Sequence, residues 1–297
     1  MLHAHVILNP AAGAGAARRA REPLLRAFRR CGWTVELVET ERPGQATELA
    51  AQAVRDSARR VIAVGGDGAV HEVANGLLAA HATAAFGVVP IGTGNDFAKL
   101  TGVYRHSVDR AVSRLVTATT QRFDAGKVLG EFFVNTLGFG FGPAVVQTRN
   151  AMPGLKGFLS YLVPVLRTFA TFRPPLLEVR TDGHAERGNM MLVEVCNGTT
   201  AGGSYRFAPG ADPTDGMLDV CVIRQIGLLR FVAALPRVMR GTHDGMREVT
   251  LVRTRSLLIR SPETPLVLHL DGELRTPDVR ECTVTVEPRC LNVLVAQ

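Results

Sequence analysis

Three loops in the first hundred residues combine glycine with polar side chains in a way that suits phosphate binding. They span residues 9–15, 65–68 and 90–96, and each follows an apolar run with the character of a strand. Glycine at the end of a strand lets the backbone approach a ligand closely, and the first turn of the next helix offers free N–H groups to an anion. Asp67 and Asp96 could hold a nucleotide-bound Mg²⁺, directly or through water. One such loop is typical of an ordinary tight turn, but three from neighbouring strands would converge on one phosphate-bearing ligand.

The positions of these loops follow from an alternation of strand and helix patterns in the first part of the chain. Each short β-rich run is followed by a segment with apolar residues at helical spacing, which predicts an α/β domain with a doubly wound parallel sheet. Ligands of such sheets bind beyond the carboxyl ends of the strands, where the three loops lie. The predicted strands are 5–8, 34–38, 61–64 and 86–89, and the predicted helices are 16–31, 45–55, 69–80 and 108–116.

The second half of the chain has a different pattern, in which short strand-like runs are interrupted by two helical segments, 155–169 and 228–240. This pattern predicts a second, β-rich and largely antiparallel domain. We place the two domains at 1–122 and 123–297, with the last strand able to return to the first domain. The strand-like runs are 132–134, 190–196, 217–223, 248–252, 257–259, 265–270 and 283–286.

The composition excludes several classes of protein. The 297 residues are 46% hydrophobic and 21% charged, which is typical of a folded globular chain. The five cysteines form no C-x-x-C pair, so neither a disulfide framework nor a zinc site is indicated. We expect a cytoplasmic protein, because no apolar run is long enough for a transmembrane helix and the N-terminus lacks a signal-peptide pattern. The net charge of +7 favours an anionic partner, but 6% aromatic residues without an interleaved basic stretch argue against nucleic acid.

Two common phosphate-binding motifs do not account for the loops. No G-x-x-x-x-G-K-[ST] sequence is present, which excludes a Walker-type loop. Residues 13–18 form a partial G-x-G-x-x-G, and Glu39 stands where a ribose-binding acid would belong, which favours a dehydrogenase. That interpretation fails at Arg18, which replaces the third glycine, and it gives the two later loops no role.

The combination of loops is more specific than any one of them. Residues 65–77 and 90–98 closely resemble the bacterial diacylglycerol kinase family of soluble lipid kinases, which are related to sphingosine and ceramide kinases. Residues 215–219 resemble a signature of its second domain, and 271–273, with the sequence Asp-Gly-Glu, resemble its catalytic turn. The resemblance implies an ATP-binding doubly wound domain and a β-rich domain with the active site between them. It also implies Mg²⁺, and a lipid substrate at the membrane surface.

The resemblance assigns roles to individual residues. Glu273 would be the general base that takes the proton of the lipid hydroxyl, with Asp271 beside it and Asp67 as a further catalytic residue. Without the resemblance, the Asp-Gly-Glu sequence would be read as a hairpin turn. A structural Mg²⁺ would be held by Asp212, Asp215 and the carbonyl of Met217. The expected nucleotide-binding residues are Asn9, Pro10, Gly13, Thr40, Gly65, Gly66, Asp67, Gly68, Ala69, Val70, His71, Gly92, Thr93, Gly94, Asn95 and Asp96.

The chain departs from the family pattern at three positions. Ala69 and His71 stand where the family usually has Thr and Asn, and Gly142 replaces an acid. A catalytically silent nucleotide-binding regulator therefore stays open. So does an NAD kinase, which shares the Gly-Gly-Asp-Gly sequence. We read His71, His184, His243 and His269 as surface or packing residues.

The sequence does not select one lipid acceptor. Diacylglycerol, giving phosphatidate, is expected first, followed by a sphingoid base or ceramide. The apolar segments 158–172 and 228–239 are expected to pack in the core or between domains, although one apolar face could guide acyl chains. A homodimer is left open.

Overall fold

The computed structural model describes residues 2–104, 106–152 and 159–296. The chain divides into two compact units, one formed by residues 1–124 with 289–297 and the other by residues 125–288. The start of the predicted helix 155–169, up to residue 158, lies outside the described residues.

The first unit is built from alternating strands and helices. Its elements are β1 (Leu2–Leu8), α1 (Ala12–Arg30), β2 (Trp33–Glu39), α2 (Gln45–Arg55), β3 (Arg60–Gly65), α3 (Asp67–Ala79), β4 (Ala85–Pro90), α4 (Asp96–Leu100) and α5 (Val108–Val116).

The four strands of this unit form a parallel sheet in the order β4-β3-β1-β2. Residues 61–65 of β3 are all buried, as expected for a strand covered by helices on both faces. Leu24 and Phe28 of α1 and Leu115 of α5 pack on the sheet around Val6 and Ile62. The predicted doubly wound fold is confirmed.

The second unit is mainly strands. β5 (Thr119–Val128) begins in the first unit and ends in the second, and is followed by β6 (Glu131–Phe133), β7 (Thr136–Gly140), α6 (Phe141–Asn150), α7 (Leu159–Thr171), β8 (Leu176–Thr181), β9 (Ala185–Cys196), β10 (Leu218–Arg224), α8 (Leu228–Arg240), β11 (Val249–Thr254), β12 (Ser256–Arg260), β13 (Leu268–Leu270), β14 (Glu273–Arg275) and β15 (Glu281–Val295).

These strands pair antiparallel, which confirms the predicted β-rich character of the second half. One run of neighbours is β14-β13-β7-β9-β10-β11. The long strand β9 also pairs with β8, which continues through β12 to β15. The end of β15 adds a parallel strand to the first unit, where Val293 pairs with Phe86 of β4.

None of the helices within the described ranges is both long and apolar enough to cross a membrane. The longest, α1, has 19 residues and carries arginines along its outer side.

Candidate active site

The first loop, after β1, has a strained backbone. Gly13, Ala14 and Gly15 have φ values of 60°, 54° and 80°, and regular helical geometry begins only after them. The left-handed conformation costs a residue with a Cβ about 1–2 kcal/mol, and Ala14 is the residue of this run that carries a Cβ. Asn9 fixes the start of the loop, because its N–H donates to Val64 O at 3.0 Å and its Oδ1 accepts the Ala11 N–H at 3.0 Å. Strain of this kind is typical of a functional loop.

The three glycine loops are in contact with one another. A Cβ added to Gly92 would lie 2.5 Å from Gly66 Cα, and one added to Gly13 would lie 2.9 Å from Ile91 O. The Ile91 N–H donates to Gly65 O at 2.7 Å. Only glycine allows this approach, so the loops form one continuous surface at the carboxyl ends of β1, β3 and β4.

Asp67 joins the second loop to the third. Its Oδ2 accepts the Asn95 N–H at 2.8 Å, and its Oδ1 accepts the Asp96 N–H at 2.6 Å. Asp96 in turn pairs with Lys99, and its side chain is only 7% exposed. The two carboxylates that the sequence suggests for Mg²⁺ are thus already engaged in positioning the third loop. Carboxylate oxygens are also the ligands that suit a hydrated Mg²⁺.

The remaining predicted nucleotide residues lie on the same surface or just behind it. Thr93 is exposed, and the Thr40 N–H donates to Leu8 O at 2.9 Å, which holds it at the end of β2. Ala69, Val70 and His71 are buried in the first turns of α3, and the Cβ of Ala69 packs against Gly65 of the second loop. Asn9, Gly66, Asp67, Gly68, Gly92 and Asn95 are half-buried, Gly13 is exposed, and Pro10, Gly65, Gly94 and Asp96 are buried.

Glu72 has a structural role that the sequence does not reveal. Its carboxylate accepts the Gly44 N–H at 2.9 Å and the Ala46 N–H at 3.1 Å. The N–H groups at the start of a helix have no intrahelical partner, so Glu72 caps α2 from outside that helix. It thereby fixes α2 against α3 beneath the loops.

In the second unit, Asp271 and Gly272 form the two-residue turn between β13 and β14, so the Asp-Gly-Glu sequence does lie in a hairpin. Their φ values of 51° and 90° are typical of a type I′ turn. The Asp271 carboxylate accepts the N–H groups of Val134, Asn135 and Thr136 at 3.1, 2.8 and 3.0 Å.

Those three hydrogen bonds anchor the turn to residues 134–136. Glu273 follows the turn and is exposed, and its carboxylate makes no hydrogen bond or ion pair with any residue that the structure describes. A carboxylate held on a rigid turn and open to solvent is available to take a proton from a ligand.

Two buried side chains behind this turn were missed as functional candidates. Glu194 is 1% exposed, and its Oε1 lies 3.4 Å from His269 Nε2. The Gly272 N–H donates to His269 Nδ1 at 3.4 Å, so the imidazole links the turn to the carboxylate. A Cβ on Gly138 would lie 2.2 Å from His269 Nε2, and one on Gly142 would lie 3.0 Å from it. Glu194 and His269 therefore occupy the space beside Gly142. His269 is thus a packing residue, and so is His71, which is buried separately in α3.

The acidic group suggested for a structural metal lies between β9 and β10. Burial raises the pKa of Asp219 above its ordinary value, and the charges of Asp215 and Asp212 add to this effect against that of Arg253. Arg253 pairs with Asp215, and Asp215 Oδ1 accepts the Met217 N–H at 2.9 Å. Carboxylate and carbonyl oxygens are the ligands that Mg²⁺ prefers. A cation bound here would neutralise the negative charge of the carboxylates, as Arg253 does in its absence.

Comparisons with known proteins agree with the fold. The family model of the diacylglycerol kinase catalytic domain matches residues 3–128, and that of the YegS C-terminal NAD kinase beta sandwich-like domain matches residues 135–295. The chain is 28% identical over 274 residues to a diacylglycerol kinase of Bacillus subtilis (strain 168), covering 92% of this chain and 90% of the relative.

Two further proteins are similar over most of the chain. A Pseudomonas syringae pv. syringae (strain B728a) protein named "Probable lipid kinase YegS-like" is 32% identical over 255 residues, which cover 82% of this chain and 79% of the relative. A solved structure of a diacylglycerol kinase from Bacillus anthracis str. Sterne superposes with a TM-score of 0.72 at 20% identity, covering 99% of this chain and 96% of that one. At that identity, the superposition supports the fold alone.

Proposed function

The chain belongs to the diacylglycerol kinase family and is an ATP-dependent lipid kinase, and we propose that it transfers the γ-phosphate of ATP to the hydroxyl of diacylglycerol, giving phosphatidate. The observation that carries this proposal is the close contact of the three glycine loops, with Asp67 joining the second loop to the third. It provides a single pre-formed phosphate surface at the strand ends, as phosphoryl transfer requires.

Different residues would bind the phosphates, hold the Mg²⁺ and accept the proton. Backbone N–H groups of the loops at Gly13, Gly66, Gly68 and Gly94 would bind the phosphates, with the Thr93 hydroxyl as an additional donor. Mg²⁺ supplies charge neutralisation of the phosphates when bound, and Asp67 and Asp96 are the residues suited to hold its hydration shell. Glu273 would accept the proton of the lipid hydroxyl as the oxygen attacks phosphorus.

A second, structural Mg²⁺ would be held by Asp212, Asp215 and the Met217 carbonyl. Burial is the main cause of the raised pKa of Asp219, and the nearby charges of Asp215 and Asp212, which add to it, support this proposal. Titration of Mg²⁺ should raise the unfolding temperature of the native chain but not that of Asp212→Asn. Asp212 is the better position to change, because among the described residues its carboxylate bonds only to Thr214 within its own turn.

The enzyme would act as a peripheral protein at the cytoplasmic face of a membrane, where its substrate resides. The acceptor is tested by incubating the protein with labelled ATP, Mg²⁺ and mixed micelles of diacylglycerol, a sphingoid base or ceramide, with NAD⁺ as a separate arm. We expect labelled phosphatidate from the native chain and none from Glu273→Gln. A product only in another arm would replace diacylglycerol as the acceptor. ATP binding without any product would favour a silent regulator.

A further inference from the structure

The outward face of α8 is apolar where a solvated helix normally is polar. Leu228, Leu229 and Val232 are 60%, 87% and 51% exposed. Single exposed aliphatic residues are common, but these three fall within five residues of one helix. The face opposite is buried through Phe231, Ala234 and Val238. The helix is therefore apolar on both sides over its first half, and only the inner side is covered within the described chain.

The exposed face belongs to a firmly packed helix. Phe231 stacks on Phe169 of α7 with ring centroids 4.0 Å apart, and it meets Phe141 of α6 edge-on at 5.5 Å. On α7, Leu166 is one turn before Phe169 and is itself 45% exposed. Since the inner side is held by aromatic packing, the leucines of α8 stand at fixed positions on the surface of the second unit.

A basic pocket opens directly beside the exposed leucines. It has a volume of about 530 Å³, lies at the start of α8 and is lined by Arg224, Arg230, Arg247 and Glu248, among others. The arginine side chains are 53–80% exposed. Arg224 pairs with Glu186, and Arg230 and Arg247 both pair with Glu248.

The pocket keeps a positive charge after these pairings, because three guanidinium groups face two carboxylates. Burial raises the pKa of Glu248, but the hydrogen bond from Arg247 and the charges of Arg230 and Arg247 outweigh it, so this pKa lies below its ordinary value. Each guanidinium carries five N–H donors in a planar fork that fits a phosphate, and most of them are not used by these carboxylates.

We propose that this face of α8 docks on an anionic phospholipid bilayer. Leu228, Leu229 and Val232 would enter the interface, and Arg224, Arg230 and Arg247 would bind lipid phosphates at its surface. Exposed leucines next to a basic pocket are complementary to a bilayer that has an apolar interior and an anionic surface. The inference rests on the proposed lipid kinase function and adds to it the surface through which the enzyme reaches its substrate.

A second copy of the chain fits this face less well than a bilayer does. In a two-fold dimer the same patch meets itself, so the arginines of the two pockets would approach one another. Three aliphatic side chains also supply much less area than the roughly 800 Å² per partner of a stable protein interface.

The test compares Leu229→Glu with Leu129→Glu. Leu129 is an equally aliphatic residue, 49% exposed in the turn between β5 and β6, and is the matched control. Co-sedimentation is measured with vesicles of phosphatidylcholine alone and with equal parts of phosphatidylcholine and phosphatidylglycerol. Leu229→Glu should bind the anionic vesicles about tenfold more weakly or worse, because it loses the burial of a leucine in the bilayer. Leu129→Glu should bind like the native chain.

Arg247→Gln tests the basic pocket, and Glu248 keeps Arg230 as its partner in that variant. It should lose the preference for phosphatidylglycerol and the sensitivity to salt, while Leu229→Glu loses binding at every composition. Native binding by Leu229→Glu would overturn the proposal. So would a wild-type dimer that Leu229→Glu converts to monomer without any change in vesicle binding.

Activity assays separate this proposal from the kinase function. Leu229→Glu should phosphorylate a short-chain diacylglycerol below its critical micelle concentration at the native rate, and vesicle-borne diacylglycerol about tenfold more slowly. Loss of both activities would overturn the docking role. A native chain that binds anionic vesicles through Leu229 but phosphorylates no lipid would support docking and contradict the proposed function.

Discussion

Replacing Asp67 by Asn should weaken ATP binding more than it slows the chemical step. The Asp67 carboxylate accepts two backbone N–H groups of the third loop, at 2.8 and 2.6 Å. An amide keeps one acceptor oxygen and turns an NH₂ group towards the other N–H, so one charge-assisted bond is lost. Such a bond contributes about 1.5–3 kcal/mol. At 1.4 kcal/mol for each factor of ten, the KM for ATP should rise by up to about 10- to 150-fold.

The assay is steady-state phosphorylation with ATP and Mg²⁺ titrated separately. Asp56→Asn is the control, since Asp56 lies in the same unit and its carboxylate bonds, within the part of the chain that the structure describes, only to the exposed Gln52. If Asp67→Asn kept the native KM for ATP and lost kcat, with a shifted requirement for Mg²⁺, Asp67 would act on the metal. Its role in positioning the third loop would then be refuted.

Three further results are expected. Glu273→Gln should lower kcat by about 10²- to 10⁴-fold at nearly unchanged ATP affinity, as expected for loss of a general base, and native turnover would show that another group takes the proton. Asp271→Ala should lower the free energy of unfolding in urea by at least about 3 kcal/mol, because three N–H groups lose their acceptor; a change below 1 kcal/mol would mean that water replaces it. Burial lowers the pKa of His243 below its ordinary 6.5, against the bond to Phe207 O. The unfolded chain then binds the proton more tightly, so the free energy of unfolding should fall as the pH drops below about 6.5. His243→Asn should flatten this fall.

The sequence predicts the first unit well because each local signal agrees with the global fold. Residues 61–64 are a continuous β-branched and apolar run, and the structure buries all of them in the centre of a parallel sheet. The predicted start of the first helix at residue 16 also coincides with the end of the left-handed run at Gly15.

Several elements in both units are not predicted from the sequence, and the reasons are physical. β7 contains two glycines, which are unfavourable in strands, and only its pairing with β9 and β13 makes it a strand. β5 carries exposed polar residues through its first four positions, so it lacks an alternating apolar pattern. α4 has five residues and is too short for a helical period.

Site residues can be located from sequence, but their partners cannot. The sequence places Asp67 in a glycine loop, yet its hydrogen bonds reach residues 28 and 29 positions further along the chain. Likewise Asp271 bonds to N–H groups more than 130 residues earlier. Such contacts depend on the relative placement of strands, which no local pattern encodes.

The departure at Gly142 has a structural explanation that links these partners. An acid at this position would begin with a Cβ 3.0 Å from His269 Nε2 and 3.5 Å from Glu194 Oε2, closer to the imidazole than nine in ten real Cβ contacts. A carboxylate is nevertheless present at this place, because Glu194 supplies it from β9. β7 pairs Gly138 with both Glu194 and His269, so two buried polar residues on neighbouring strands fill the space where the acid of the family pattern would lie. Glycine at position 142 therefore has a packing reason in this chain, and Gly142 by itself is no sign of a silent enzyme.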